Sequence, residues 1–366
     1  MLGAQPRSTR LTARDLTAPW RHVDGVLLVV VSLTTLMGSV MVYGATRYTE
    51  DRTGLIYRHV VFVVIGFALM AGAALVDYRR VMDWWQVIYG VSIVALLGVL
   101  TPLGAVVNGT SGWYRLGPLS FQPAELAKLG TILAVAAYLG RVERVDLRRL
   151  GTALGLLAVP LGLVLLQPDL GSALVFAAIA LGMLVVGGVR MRHLAVLAVL
   201  GVGLVMGLLG SGMLDDYQQE RLSDFLSTEG QSYNVTQAQT AISSGGLTGY
   251  GFGTGPQTRA GFVPVQESYF VFTVVGVEIG VLGSALLVGL LGALIWRIWR
   301  TAQLAPDKAG VLLCVGILSM FLFHIFVNIG MTLGIMPVTG LPLPFVSYGG
   351  SSVMMSFVAV GLVQSV

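Results

Sequence analysis

The sequence predicts an all-α, polytopic membrane protein with about ten transmembrane helices. Of its 366 residues, 55% are hydrophobic and only 11% are charged, whereas soluble domains carry about 25% charged residues. The mean hydropathy of the whole chain is +0.82. Apolar runs close to the roughly 20 residues that cross a bilayer recur along the chain. Composition and segment length together indicate a chain solvated by lipid.

Ten apolar segments predict the helices in order. The fifth is short and ends at Gln167-Pro168-Asp169, where the proline restricts the preceding helix and predicts a broken or shallow helix end. The first is too long for the apolar core of a signal peptide, which has about 7–15 residues, so we expect it to remain as a helix. The ten segments span residues 23–45, 58–76, 86–104, 122–139, 151–166, 170–188, 194–214, 268–296, 309–334 and 347–366.

The basic residues predict the orientation of these helices. Most of the 22 Lys and Arg residues fall in short segments on one side of the predicted helices, and cytoplasmic loops carry such an excess. Both termini are then cytoplasmic, with residues 1–22 as a tail and 23–366 as a single ten-helix domain. Residues 215–266 become a long extracytoplasmic loop between helices seven and eight. A loop of that length is uncommon unless it is functional.

Several classes of function are excluded by the same observations. The sequence pI is near 9.3, but the basic residues lie between apolar runs, which is a topology signal rather than a nucleic-acid footprint. Cys314 is the only cysteine, so there is no intrachain disulfide. The glycines at 249, 251, 253 and 255 do not follow a strand of a βαβ unit, which argues against a nucleotide fingerprint. We therefore expect no organic cofactor.

Ionisable residues at membrane depth are the first candidates for function, because they are costly to bury. Glu125 and Lys128 are three residues apart, on one face of the fourth helix. They form either an ion pair that only joins helices or the polar wall of a ligand cavity. Asp169 follows a proline and precedes a helix, so it is either a helix N-cap or a contact for a ligand or metal.

A further carboxylate, Glu267, lies close to the predicted start of the eighth helix. There it either complements the positive end of the helix dipole or meets a substrate at the membrane interface. The residues alone leave these two interpretations open.

Six motifs in order, from about residue 22 to the end of the chain, resemble the RodA/FtsW/SpoVE (SEDS) family, and its RodA branch most closely. The motifs are Gly112-Trp113-Tyr114-Arg115-Leu116-Gly117, Phe121-Gln122-Pro123-Ala124-Glu125 with Lys128, Gln167-Pro168-Asp169-Leu170-Gly171, Ile242-Ser243-Ser244-Gly245-Gly246-Leu247, Asn328-Ile329-Gly330-Met331 through Pro337, and Gly340-Leu341-Pro342-Leu343-Pro344 with Ser347-Tyr348-Gly349-Gly350-Ser351.

The resemblance implies a ten-helix peptidoglycan glycosyltransferase of the bacterial cytoplasmic membrane that polymerises lipid II on the outer face and serves cell-wall elongation and cell shape. The acceptor 4-hydroxyl attacks the anomeric carbon of the lipid-linked donor, and undecaprenyl diphosphate leaves. A carboxylate general base at the outer end of the eighth helix, a divalent cation (Mg²⁺ or Mn²⁺) and a class B penicillin-binding protein as partner are also implied. The substrate-binding residues that it indicates are Trp113, Arg115, Glu125, Lys128, Asp169 and Ser347.

The chain departs from the family at the expected base. Tyr269 stands at the position of the family's catalytic Asp, and a phenol with a pKa of about 10 is a poor base at neutral pH. Glu267 is the nearest carboxylate. Two residues of helix would turn its side chain by about 200°, so it replaces the Asp only where the backbone is extended or the helix begins later. Glu278 stands alone where the family often has two acids.

Three functions follow from this pattern. The first is an active lipid II polymerase that uses Glu267 or another base. The second is a catalytically silent scaffold that binds a class B penicillin-binding protein, and Tyr269 is the residue that favours it. The third is a lipid II flippase, which the intramembrane charges permit, although the long outer loop favours chemistry at the surface.

Overall fold

The structure is a computed structural model that describes residues 23–49, 52–107, 110–117, 119–142, 145–210, 233–261 and 265–366. The predicted tail, residues 1–22, and part of the predicted 215–266 loop lie outside the described residues. The helices are α1 (Gly25–Thr46), α2 (Arg52–Leu75), α3 (Tyr78–Asp83), α4 (Trp85–Val99), α5 (Pro123–Gly140), α6 (Leu147–Leu165), α7 (Leu170–Val186), α8 (Met191–Gly210), α9 (Tyr233–Ser244), α10 (Pro256–Ala260), α11 (Val271–Glu278), α12 (Gly280–Leu304), α13 (Lys308–Thr332) and α14 (Gly350–Gln364).

Ten of these helices match the ten predicted segments: α1, α2, α4 to α8 and α12 to α14. Among the described residues, α1, α2, α6, α12 and α13 are long and apolar enough to cross a membrane, and shorter apolar helices lie at α4, α7, α8 and α14. Nearly all of α5 is buried, so it forms the centre of the bundle. The prediction of a polytopic, helical membrane protein is confirmed.

Polar contacts place both ends of the described chain on the same face of the bundle. The backbone N–H of Asp24 donates to the Gln364 side chain at 2.7 Å, and Arg297 near the end of α12 donates to the Asp24 carboxylate at 2.7 Å. We call this the terminal face. The end of α1, at Arg47, lies on the opposite face, which we call the distal face. An even number of crossings accounts for this arrangement.

A three-stranded antiparallel sheet on the distal side was not predicted. Its strands are β1 (Ala105–Val107), β2 (Thr110–Leu116) and β3 (Leu119–Phe121), in the order β1-β2-β3. Trp113 pairs with Ala105, and Arg115 pairs with Ser120. The sheet connects α4 to α5 and thereby positions Trp113 above the start of α5.

The predicted eighth segment is divided into two helices. Helix α11 ends at Glu278, and α12 begins at Gly280, which has a φ of +70°. A side chain at Gly280 would also lie 2.4 Å from the backbone of Gly249, so the turn requires glycine. Of these two helices, α12 alone is long and apolar enough to cross the membrane, while α11 is a short helix whose residues are all buried.

Candidate functional site

A cavity of about 190 Å³ opens among the N-terminal ends of several helices on the distal side. This volume is more than ten times the roughly 10–15 Å³ that holds one water molecule. Its wall brings together four of the residues predicted from the sequence: Trp113, Glu125, Asp169 and Tyr269. The other lining residues are Arg58, Phe62, Val107, Thr110, Ser120, Gln122, Ser172, Ser268, Thr339, Gly340, Leu341, Pro342, Tyr348, Gly349, Gly350 and Ser352.

Three helices begin at this cavity. The first turns of α5, α7 and α14 contribute Glu125, Ser172 and Ser352 to its wall. Neither α5 nor α14 has a side chain that caps its N-terminus. Helix N-termini carry partial positive charge and unpaired N–H groups, and Arg58 adds a full positive charge. Arg58 and the uncapped N-termini of α5 and α14 favour an anionic ligand, and the Asp169 and Glu125 carboxylates in the same wall offset part of this positive charge.

Asp169 has the capping role that the sequence left open, and its contact with a ligand or metal stays a prediction. It caps α7, because Oδ1 accepts a hydrogen bond from the backbone N–H of Ser172 at 2.9 Å. Its Oδ2 accepts from the Ser172 hydroxyl at 2.7 Å and from Nε2 of Gln122 at 3.0 Å. The residue also lines the cavity. These contacts join the starts of α5 and α7 at the cavity wall.

Glu125 and Lys128 form a buried ion pair beside the cavity. Nζ of Lys128 donates to Oε1 of Glu125 at 2.7 Å, and the Lys128 side chain is fully buried. Only Glu125 reaches the cavity wall. The two residues therefore form an ion pair within α5, of which only Glu125 belongs to the cavity wall, and a ligand for this wall stays a prediction.

His324 of α13 completes this buried group. Its Nε2 lies 3.2 Å from Nζ of Lys128, and the ring also hydrogen-bonds the backbone of Pro342. Proline has no N–H, so the imidazole must donate to the Pro342 carbonyl. Its other nitrogen is then free to accept from Lys128. A continuous chain of polar contacts therefore links Glu125 to Pro342 on the other side of the cavity.

Tyr269 forms part of the cavity wall opposite these groups. Its backbone carbonyl accepts a 2.9 Å hydrogen bond from Nδ2 of Asn328, which also donates to the carbonyl of Leu341 at 2.8 Å. A Cβ at Gly340 would lie 3.6 Å from Cζ of the Tyr269 ring, so the ring is separated from this glycine by about the width of a methyl group. Asn328 is fully buried, so it fixes the segment that holds Tyr269 against the 339–342 loop.

Glu267 lies two residues before Tyr269, outside the cavity wall. Helix α11 begins only at Val271, and residues 265–269 form a turn in which the N–H of Tyr269 donates to the carbonyl of Val265. Glu267 and Tyr269 therefore share one turn that precedes the helix, and of the two only Tyr269 lines the cavity. Burial raises the pKa of the Glu267 carboxyl above its usual value, although a backbone hydrogen bond acts in the opposite direction.

The two remaining predicted residues do not line the cavity, although each is next to a residue that does. Arg115 is exposed on β2. Ser347 is buried, and its hydroxyl accepts a hydrogen bond from the backbone N–H of Leu343 at 2.9 Å. It thereby shapes the turn that precedes Tyr348, whose N–H donates to the carbonyl of Glu267 at 2.8 Å.

Arg58 is a cavity residue that the sequence did not single out. It lies in the second turn of α2, and its Nε donates to the Gly54 carbonyl at 3.0 Å. In the sequence it counted only towards the orientation of the helices. Its position as a basic residue just inside an apolar run is the sequence feature that could have marked Arg58 as a candidate site residue.

Comparisons with known proteins identify the family. A family model described as cell cycle protein, FtsW/RodA/SpoVE, matches residues 24–366. The peptidoglycan glycosyltransferase MrdB of Escherichia coli K12 is 33% identical over 351 residues, which cover 94% of this chain and 93% of MrdB. Stage V sporulation protein E of Bacillus subtilis 168 is 33% identical over 355 residues, which cover 93% of this chain and 96% of that protein.

Solved structures agree with this assignment. A chain from a peptidoglycan synthase complex that coordinates polymerization and crosslinking superposes with a TM-score of 0.80 at 32% identity, covering 93% of this chain and 96% of that one. The rod shape determining protein RodA of Thermus thermophilus superposes with a TM-score of 0.72 at 33% identity, covering 94% of this chain and 97% of RodA. The chain therefore belongs to the FtsW/RodA/SpoVE family of membrane proteins.

Proposed function

We propose that the protein is a peptidoglycan glycosyltransferase that polymerises lipid II into glycan strands during cell-wall elongation. It would act at the outer face of the bacterial cytoplasmic membrane, so that the distal face is the outer one. The observation that carries the proposal is the cavity at which three helix N-termini and Arg58 meet. The diphosphate of a lipid-linked sugar is an anion that such a site favours, and MrdB, a relative along nearly the whole chain, is named for this activity.

The reaction needs a base for the acceptor 4-hydroxyl, which attacks the anomeric carbon while the diphosphate leaves with the bonding electrons. Glu267 is the carboxylate nearest in sequence to the family's Asp position. A raised pKa brings a carboxyl closer to neutral pH and makes it a stronger base when it is ionised. Arg58 and the first-turn N–H groups of α14 would stabilise the charge that develops on the leaving diphosphate.

We propose Asp169 as the residue that would hold the divalent cation of this reaction. The Asp169 carboxylate accepts three hydrogen bonds, which leaves about one of its four lone-pair positions open. Mg²⁺ is usually held by one or two carboxylates together with substrate phosphates. Asp169 would hold Mg²⁺ or Mn²⁺ next to the diphosphate, and the cation would neutralise part of its charge.

The partner of this reaction would be a class B penicillin-binding protein that crosslinks the new strands. The similar synthase complex couples polymerization to crosslinking, which supports such an assembly for this chain. The test is gel analysis of glycan strands made from lipid II by the purified chain, with its penicillin-binding protein and Mg²⁺ or Mn²⁺. Strands of many disaccharides are expected, and their complete absence in every combination would reject the polymerase.

A second candidate function is a catalytically silent scaffold for the penicillin-binding protein. The observation that favours it is the position of Tyr269 in the cavity wall, where a phenol lines the site and the Glu267 side chain does not. A scaffold would bind its partner normally and make no polymer. Co-purification of the two proteins, measured beside polymerisation, separates the two functions.

A further inference from the structure

Three arginines and three aromatic rings form one cluster on the distal face, apart from the cavity. We call it the distal arginine cluster and define it as Arg47, Arg52 and Arg259 with Tyr43, Tyr48 and Phe252. Its members come from the end of α1, the start of α2, the glycine-rich 249–255 segment and α10. None of the six lines the cavity described above.

The rings hold the guanidinium groups in place. The Arg47 and Arg259 guanidinium carbons lie 5.8 and 5.4 Å from the centre of the same Tyr48 ring. Arg52 lies 5.0 Å from the Tyr43 ring and donates to its hydroxyl at 2.6 Å. Cation–π contacts of this kind stabilise a guanidinium without neutralising it, so its charge remains available to an anion.

The loop backbone is shaped around the cluster. Phe252 stacks on Tyr43 with ring centres 5.9 Å apart, and the Tyr48 hydroxyl donates to the Gly253 carbonyl at 3.1 Å. A Cβ at Gly253 would lie 2.7 Å from Nη1 of Arg47. Glycine at this position therefore lets the loop close over the arginine.

Among the described residues the cluster carries more positive than negative charge, and Glu50 and Asp51, which precede Arg52 in the sequence, lie outside those residues. Among the residues that the structure describes, none of the three arginines has an ion pair within 4 Å. Glu278 is buried nearby and interacts electrostatically with Arg47, so one carboxylate offsets part of three positive charges.

An exposed apolar stripe on α1 leads to the cluster. Val29, Leu33, Leu36 and Val40 are each more than a third exposed, and with Tyr43 and Arg47 they recur at the three- and four-residue spacing of one helix face. The stripe crosses the membrane and ends at the arginines. An apolar track that ends at fixed cations is complementary in shape and charge to an acyl chain and its anionic headgroup.

We propose that the distal arginine cluster binds the headgroup phosphate of an anionic phospholipid whose acyl chain lies along this stripe of α1. Guanidinium forks match phosphate oxygens in geometry and charge, and interfacial Tyr and Arg are typical of the headgroup level. A phospholipid suits the site better than the isoprenoid substrate, because the proposed function already assigns the substrate's diphosphate to the cavity. This choice of a phospholipid over the isoprenoid substrate rests on the proposed function, whereas the binding itself requires no polymerisation of lipid II.

The test is native mass spectrometry of the full chain in detergent with equal amounts of phosphatidylglycerol and phosphatidylcholine. The variant replaces the cluster by Arg47→Gln, Arg52→Gln and Arg259→Gln. The matched control replaces three exposed arginines of the terminal face, by Arg148→Gln, Arg192→Gln and Arg300→Gln, and changes the net charge equally. We expect the unaltered chain and the control to prefer phosphatidylglycerol, and the cluster variant to bind it about tenfold or more weakly.

Three outcomes would overturn the proposal. One is equal binding of the two lipids by the unaltered chain, and another is an equal loss in both triple variants. The third is measured with undecaprenyl diphosphate added to the mixture. If the cluster variant loses binding of undecaprenyl diphosphate but keeps that of phosphatidylglycerol, the cluster binds the substrate instead. Should the cluster variant not fold, the test is the salt dependence of lipid binding to the unaltered chain. A phosphate–guanidinium contact weakens with ionic strength. An unchanged preference for phosphatidylglycerol at high salt would therefore contradict the proposal.

Discussion

Lys128 donates a 2.7 Å hydrogen bond to Glu125 from a position with no exposed surface, while Glu125 itself reaches the cavity. The lysine thus compensates a carboxylate that would otherwise lie unpaired at the edge of the bundle core. His324 adds a second contact to the same ammonium group at 3.2 Å. The net charge beside the cavity therefore includes that of Lys128, which lies behind the wall.

Lys128→Met is expected to destabilise the protein by about 3–5 kcal/mol, because removal of one partner leaves a buried charge uncompensated. The double variant with Glu125→Gln should recover much of this loss. Thermal unfolding of the purified chain in detergent measures both. Equal unfolding temperatures for the single and double variants would show that the pair is not coupled.

Arg58→Gln is expected to raise the KM for lipid II. A hydrogen bond to a charged group contributes about 1.5–3 kcal/mol, which corresponds to roughly tenfold to a hundredfold in affinity. Arg115→Gln is the matched control, because Arg115 is an exposed arginine outside the cavity wall. Steady-state polymerisation rates over a range of lipid II concentrations give both values, and a larger effect at Arg115 would place substrate binding at the sheet instead.

Asn328→Ala is expected to lower both stability and kcat. The variant leaves the buried carbonyls of Tyr269 and Leu341 without their donor, at a cost of about 1–3 kcal/mol. The segment with Tyr269 and the 339–342 loop would then no longer be held together. Unfolding temperature and polymerisation rate check the two effects, and Thr332→Ala is a control that removes a buried hydroxyl further along α13. Unchanged values for Asn328→Ala would contradict this role.

The pH dependence of polymerisation tests the raised pKa of Glu267. A general base must be ionised, so the rate should be constant at neutral pH and fall as the pH drops through the pKa. Because burial raises that pKa, the midpoint of the fall should lie above the ordinary value of about 4.3 for Glu. A midpoint at or below that value would assign the base to another group.

The sequence predicts the helices well because lipid imposes one strong constraint, the length of each apolar run. It misses features that depend on local geometry. The sheet at 105–121 consists of strands of three to seven residues, too short to show an alternating pattern. The break between α11 and α12 lies at Glu278-Ile279-Gly280, inside a segment predicted as one helix, and the positive φ of Gly280 makes the turn.

The residues of the site could be predicted only in part, because some of them depend on how the helices pack. Glu125, Asp169 and Tyr269 stand out because charges at membrane depth, or departures from a family motif, are visible in the sequence. Arg58 does not stand out, since a basic residue near a helix end also serves orientation. The sequence likewise gives no sign that Lys128 lies behind Glu125 and contacts His324, because that arrangement depends on how α5 packs against α13.

The central claim is that this chain polymerises lipid II with a carboxylate other than the family's Asp. Its most direct test is polymerisation of lipid II by the purified chain with its penicillin-binding protein and divalent cation, compared with Glu267→Gln and Tyr269→Asp. We predict polymer from the unaltered chain and its loss in Glu267→Gln. No polymer from the unaltered chain, together with polymer from Tyr269→Asp, would contradict the claim and establish a substrate site that lacks its base.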